Sequence, residues 1–107
     1  MRYEARYIAV GNRVALLVVE YRRRYADFRI DLYESCLEIH DIDTLINAVL
    51  GIATRYGDPR KVAVIVTRYQ VRVENVYVDR VGNAINEVLA AVSKAVRPDP
   101  TCYGERP

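Results

Sequence analysis

Residues 26–57 read ADFRIDLYESCLEIHDIDTLINAVLGIATRYG, and the change of period inside them decides the fold. Ala26, Phe28, Ile30 and Leu32 alternate with Asp27, Arg29, Asp31 and Tyr33. A period of two is a strand with one buried face. The alternation slips at Glu34-Ser35, because Leu37 and Ile39 have the opposite parity, and that predicts a bulge or short break. From Asp41 the period becomes helical, with Ile42, Leu45, Ile46, Val49, Ala53 and Tyr56 on one side. Asp41 is placed to cap this helix, and Asp43 adds negative charge in its first turn, where the dipole favours it. Gly57 fits the left-handed position beyond the last turn, and Asp58-Pro59 prevents continuation.

On the N-terminal side, residues 2–10 alternate as a strand with Tyr3, Ala5, Tyr7 and Ala9 on one side. Gly11-Asn12 is a two-residue hairpin signal. Residues 14–19 are apolar throughout, which predicts a central strand buried on both faces. Arg22-Arg23-Arg24 marks a solvated turn into the strand at 26–32. On the C-terminal side, residues 61–66 read as an apolar strand running on through Tyr69, Val71 and Val73. Glu74-Asn75 then turns the chain into a short piece at 76–78. Asp79 is expected to cap a long helix striped by Val81, Ile85, Val88, Leu89, Val92 and Val96, which Pro98 and Pro100 end. The expected fold is α+β: an antiparallel three-stranded meander, a helix, a further strand with room for a short fifth, and a C-terminal helix. Both helices would pack on one face of a mixed sheet. Residues 1–98 would form this single domain, and 99–107 a flexible Pro-containing tail.

Composition narrows the function classes. At 107 residues and 51% apolar, the chain can build one core. The longest apolar run, 14–19, is far too short to cross a bilayer, and charges begin at Arg2 with no cleavage-type site following. The expectation is a cytoplasmic protein with no membrane partner. Net charge is only +2, below that of a dedicated duplex-DNA binder. The charges are nonetheless segregated. Residues 1–30 hold seven Arg against three acids, whereas 31–43 hold five acids and no Lys or Arg. Opposed blocks of this kind suit self-association as well as a foreign partner.

The scarcity of Lys beside abundant Arg, Val and Tyr suggests a hyperthermophile with a GC-rich genome. That bears on Cys36 and Cys102, the only cysteines. In an ordinary cytosolic protein they stand as free thiols, while in such organisms intracellular disulfides are common. A bridge between them, within or between chains, would pin the Pro-rich tail.

No catalytic constellation emerges. His40 is the only histidine, and with Cys36, Asp41 and Asp43 it lacks the tight S/N ligand spacing that zinc requires. The plainer reading places His40 at a strand–helix junction, with the aspartates as caps. Gly51, Gly57 and Gly82 are isolated, so no phosphate loop and no cofactor is expected. The order of elements resembles the first part of the ribonuclease-H-like nuclease fold. That chemistry needs convergent carboxylates for two metal ions, and here the first strand offers only Glu4 and the fourth no acid.

Arg-Tyr pairs are the residual signal: Arg2-Tyr3, Arg6-Tyr7, the run Tyr21, Arg22, Arg23, Arg24, Tyr25, then Arg55-Tyr56 and Arg68-Tyr69. Tyr rings stack on unpaired bases while guanidinium groups neutralise phosphate, so Tyr3, Tyr7, Tyr21, Tyr25 and Arg22 to Arg24 could form a single-stranded nucleic-acid surface. Equally, Tyr fills half-exposed sheet positions and Arg forms ion-pair networks. Glu4, Glu20, Asp27 and Asp31 interleave the same strands and would repel a phosphate backbone. Tyr and Arg are also the residues enriched at protein–protein hot spots, which fits mixed charge better.

A Val-rich 107-residue domain with these Arg-Tyr segments and no enzyme motif resembles the arcadins, small accessory proteins of the archaeal actin-like (crenactin) cytoskeleton. The resemblance implies a filament-associated role and transfers no functional residue. The leading expectation is a non-enzymatic, homo-oligomeric protein-interaction module of a thermophilic archaeon. A single-stranded nucleic-acid binder and a ribonuclease-H-like nuclease remnant are the alternatives.

Overall fold

The computed structural model describes residues 2–104. Three long strands open the chain: β1 (Arg2–Val10), β2 (Arg13–Tyr21) and β3 (Tyr25–Asp31). A 3-10 turn at Tyr33–Ser35 leads to the short β4 (Leu37–Ile39), α1 (Ile42–Tyr56), β5 (Ala63–Val66) and β6 (Gln70–Tyr77). A second 3-10 turn at Val78–Arg80 enters α2 (Val81–Ala95), followed by β7 (Val96–Pro98) and α3 (Pro100–Gly104). The main sheet has the order β1-β2-β3-β6-β5, and β4 with β7 forms a separate two-stranded ladder. This is the α+β class. Every pairing is antiparallel, so the sheet is not the mixed one expected from the sequence.

The core lies between one sheet face and the helices. Leu45, Val49, Ile52 and Ala53 of α1 are buried with Val81, Ala84, Ile85, Val88 and Val92 of α2. They belong to one cluster with Leu17, Val19, Phe28, Ile30, Val71 and Val73 of the sheet. Fully burying side chains such as Leu17, Phe28 and Ile30 is worth about 1.5–3 kcal/mol each.

Several expectations need correction. Residues 14–19 are not buried on both faces: Ala15, Leu17 and Val19 are buried, whereas Val14 is 58% exposed. An antiparallel sheet covered on one side has a single dry face. The long strand expected through 61–73 is a hairpin, with the Thr67 N–H donating to the Gln70 carbonyl at 2.9 Å. A straight strand would send Val64 and Val66 to the face opposite Val71 and Val73; the turn pairs Val64 with Val73 and Val66 with Val71 on one face. Glu74-Asn75 does not reverse the chain. It is a bulge: Ala26 pairs Val76 and Phe28 pairs Val73, so two residues of β6 oppose Asp27, and Asn75 takes φ +64°.

The helix termini also differ. Asp41 caps α1 as expected, its side chain accepting from the Thr44 N–H at 3.2 Å. Asp79 caps nothing; it lies in the 3-10 turn, and α2 has no side-chain cap. Val96, assigned to the α2 stripe, begins β7 instead. Residues 99–102 are anchored rather than loose, because Asp99 is buried and its N–H donates to the Cys36 carbonyl at 2.9 Å. Cys36 and Cys102 are joined by a disulfide within the chain. Residues 105–107 of the expected tail lie outside the described residues.

Gly57 is extended (φ −131°), not left-handed. Its lack of a side chain serves close approach, since a Cβ there would lie 2.5 Å from Val62 Cγ1 and 2.6 Å from the Asn75 carbonyl oxygen. The backbone oxygen cannot swing aside as a side chain would. Gly57→Ala is therefore expected to destabilise the fold by about 1–3 kcal/mol, the range for overpacking, read from the urea midpoint. An unchanged midpoint would contradict this packing.

Candidate interaction surface

Cross-strand register places one row of side chains on the uncovered sheet face: Tyr7, Leu16, Asp31 and Gln70, paired strand to strand. The next row is Ala5, Val18, Arg29, Arg72 and Ile65. The face thus divides. Its β1–β2 half is apolar and aromatic, with Tyr3 63%, Tyr7 73% and Val14 58% exposed. Its β3–β6 half is an ion ladder: Arg29 pairs with Asp31 at 3.1 Å, Gln70 donates to Asp31 at 2.6 Å, and Arg72 pairs with Glu74 at 2.8 Å. In-plane pairing neutralises that half against itself.

At one end of this face, a concavity of about 590 Å³ opens among Tyr7, Val14, Leu16, Tyr33 and Tyr69. The 3-10 turn after β3 forms its wall. Ser35 Oγ donates to the Val14 carbonyl at 2.5 Å, and Tyr33 meets Tyr69 edge-on at 5.2 Å between ring centroids. Asp31 and Glu34 also line it, so the mouth is acidic. Tyr33, Val14 and Leu16 were not singled out in the sequence. The parity of 14 and 16 with the exposed row would have flagged two of them.

The Arg-Tyr residues do not form one surface. Tyr3 and Tyr7 stand on the open face, and Arg23 and Arg24 are exposed on the β2–β3 turn. Tyr21 lies under the Arg2 guanidinium, 4.4 Å from its ring centroid. Tyr25 stacks on Tyr77 at 5.7 Å and carries the Lys61 ammonium 5.1 Å from its ring. Arg22 turns inward and forks onto the buried Asp27 carboxylate, with one arm at 3.0 Å, while also reaching Asn75. That hydrogen bond to Asp27 is the main reason its pKa is raised.

Arg68 and Tyr69 are likewise committed within the fold. Arg68 spans two buried carboxylates, Glu38 at 2.8 Å and Asp99 at 3.3 Å, and Arg97 holds the other Glu38 oxygen at 2.7 Å. The Tyr69 hydroxyl donates to Asp99 at 2.8 Å, which raises its own pKa. Hydrogen bonds from Arg97 and Arg68 hold Glu38 below the usual carboxylate range. The Thr101 hydroxyl, and after it Tyr69, does the same for Asp99. This cluster fastens β4, β7 and the 67–69 turn together. It was not legible because its partners lie some thirty residues or more apart in sequence.

Among the described residues, no group of three or more His, Cys, Asp or Glu side chains is arranged to hold a metal ion. No helix of the described residues is long and apolar enough to cross a membrane. No protein-family model, curated protein or solved structure matches the chain.

The carboxylate cluster makes stability pH-dependent. Both acids have folded pKa values below their unfolded ones, so their stabilisation is complete above the unfolded values and is lost as pH falls through the folded ones. The thermal midpoint is expected to drop as pH is lowered below about 4. Arg68→Met should lower the midpoint at neutral pH and flatten that acid limb, measured by circular dichroism melts. An acid limb as steep as wild type in the variant would contradict the assignment.

Proposed function

We propose that this chain is a non-enzymatic interaction module of the cytoplasm that assembles with itself through the uncovered part of its sheet. The observation that carries this is the exposure of Tyr3, Tyr7 and Val14 together on an open β-face that neither helix covers. Exposed aromatic and apolar side chains in one patch favour a protein partner. The neighbouring ion ladder fits the same reading, since its charges are already paired and cost less to bury than free ones.

The nucleic-acid alternative is weakened by the same geometry. Arg22, Arg29, Arg68 and Arg72 are each engaged by a carboxylate, and Asp31 lies beside Tyr7 and Leu16 where a phosphate backbone would run. Only Arg23 and Arg24 remain of the expected basic patch, beside Tyr25 on the β2–β3 turn. Arcadin resemblance extends the proposal to an accessory role on an actin-like filament of a thermophilic archaeon, with the filament as the foreign partner.

In multi-angle light scattering, a mass that rises with concentration through the micromolar range is expected. Tyr7→Ser with Val14→Ser should weaken that association by about tenfold or more, as loss of a hot spot does. A monomer mass persisting to about 100 μM would overturn the proposal. Labelled single-stranded DNA should not bind at low salt; salt-sensitive binding would favour the alternative instead.

A further inference from the structure

The two edges of the sheet are built differently. β5 is four residues long and follows Pro59 and Lys61, which is how edges are ordinarily blunted. β1 is nine residues long, has no Pro and keeps unbroken register with β2; its charges, Arg2, Glu4 and Arg6, are of both signs and can complement those of a second copy. Residues Arg2 to Tyr7 are exposed on both faces, so no part of the described chain covers that edge. Val10 and Arg13 close the two-residue hairpin turn, and a closing pair exchanges both its hydrogen bonds. Even-numbered residues of β1 therefore bond to β2. Tyr3, Ala5, Tyr7 and Ala9 turn their N–H and C=O groups outward.

A second copy can add to such an edge antiparallel, about a dyad perpendicular to the sheet. That dyad keeps every side chain on its own face, so each residue must meet one of equal parity. Few centres remain. A dyad at Glu4 sets Glu4 against Glu4 and Arg2 against Arg6; one at Arg6 sets Arg6 against itself. Centres beyond Arg6 bring Arg6 and Glu4 against Ile8 and Val10, already buried by their own helices. A centre at Tyr3 also sets Arg2 against Glu4, but among the described residues it pairs only Arg2, Tyr3 and Glu4, leaving Arg6 and Tyr7 unmatched. A dyad at Ala5 puts Glu4 opposite Arg6 and Tyr3 opposite Tyr7, each twice, and leaves only Arg2, at the end of the ladder, against Ile8.

We infer that β1 pairs with β1 of a second copy in the register that centres on Ala5, joining two five-stranded sheets into one. This rests on the self-association reading and places the contact at the β1 edge of the open face, where Tyr3 and Tyr7 take part and Val14 does not. Within the monomer, Arg6 has no ion-pair partner among the described residues, and Glu4 takes only a long 3.5 Å bond from the Tyr21 hydroxyl. The pairing supplies both. On the open face, Tyr3 of each copy extends the row of Tyr7 and Leu16 of the other, with the small Ala5 leaving room between the two tyrosine pairs.

Cross-linking and charge reversal on the full chain test the register. Ala5→Cys should give a covalent dimer with a short bifunctional thiol reagent, because directly opposed residues have Cα atoms about 5.5 Å apart. Ala9→Cys should not, since its two copies would lie about 27 Å apart at roughly 3.4 Å per residue. Glu4→Arg or Arg6→Glu should each weaken association by about tenfold, and the double exchange should return it to within about twofold of wild type. An oligomer whose Ala5→Cys form resists cross-linking and whose affinity ignores Glu4→Arg would overturn this register while leaving self-association standing. A monomeric wild type would overturn both.

Discussion

Two helices cover one side of the sheet and leave the other in water. Each strand must therefore keep its large apolar side chains at a single parity with respect to that cover. Much of the irregularity in the chain answers this demand. The 3-10 turn at Tyr33–Ser35 releases the chain from β3 before Leu37 would point the wrong way, and β4 finds a partner of its own in β7. The 67–69 turn brings Val64 and Val66 onto the face of Val73 and Val71. The bulge at Glu74-Asn75 lets Val71, Val73 and Val76 all be fully buried despite their odd spacing. Gly57 then fits against that bulge, pressed between Val62 and the Asn75 carbonyl.

Those breaks leave polar groups behind, and the chain meets them with arginine. Asp27 at the bulge, Glu38 on β4 and Asp99 before α3 are buried carboxylates. Each is held by a guanidinium or by donors arranged around one: Arg22 and Asn75 for Asp27, Arg68 and Arg97 for Glu38, Arg68 with Tyr69 and Thr101 for Asp99. A planar fork can satisfy two acceptors at once, as Arg68 does between Glu38 and Asp99; an ammonium ion has no such fixed geometry. This accounts for part of the preference for Arg over Lys. Buried ion pairs add little net stability against an apolar alternative, but they penalise any arrangement that leaves one member alone. Here they fix where the irregular segments dock.

The meander and α1 were legible because their signals are local. Alternation in 26–32, Gly11-Asn12 and the Asp41 cap each act over a few residues. The hairpin at 67–69 was not, since Thr67, Arg68 and Tyr69 are not turn-forming residue types and Tyr69 has strand propensity. The β4–β7 ladder is only three residues long, too short for periodicity to show. As for the surface, Tyr3 and Tyr7 could be read from parity alone. Arg22, Arg68 and Tyr69 could not, because whether a cation faces solvent or a buried acid depends on which distant acid the fold delivers to it. Sequence reading assigned them outward; Asp27, Glu38 and Asp99 draw them in.

The Cys36–Cys102 bond spans 66 residues of chain and encloses α1, the β5–β6 hairpin and α2. Mechanical tension entering at residue 102 would pass through sulfur to residue 36 and on into β3, so the covalent path bypasses the enclosed helical layer, which is loaded only through the β3–β6 ladder. Of the secondary structure before residue 36, the β1–β3 meander and the 3-10 turn lie on that covalent path. Under strain the molecule would yield by peeling that meander strand by strand, while the part beyond residue 36 could lose its packing but never be drawn out to length.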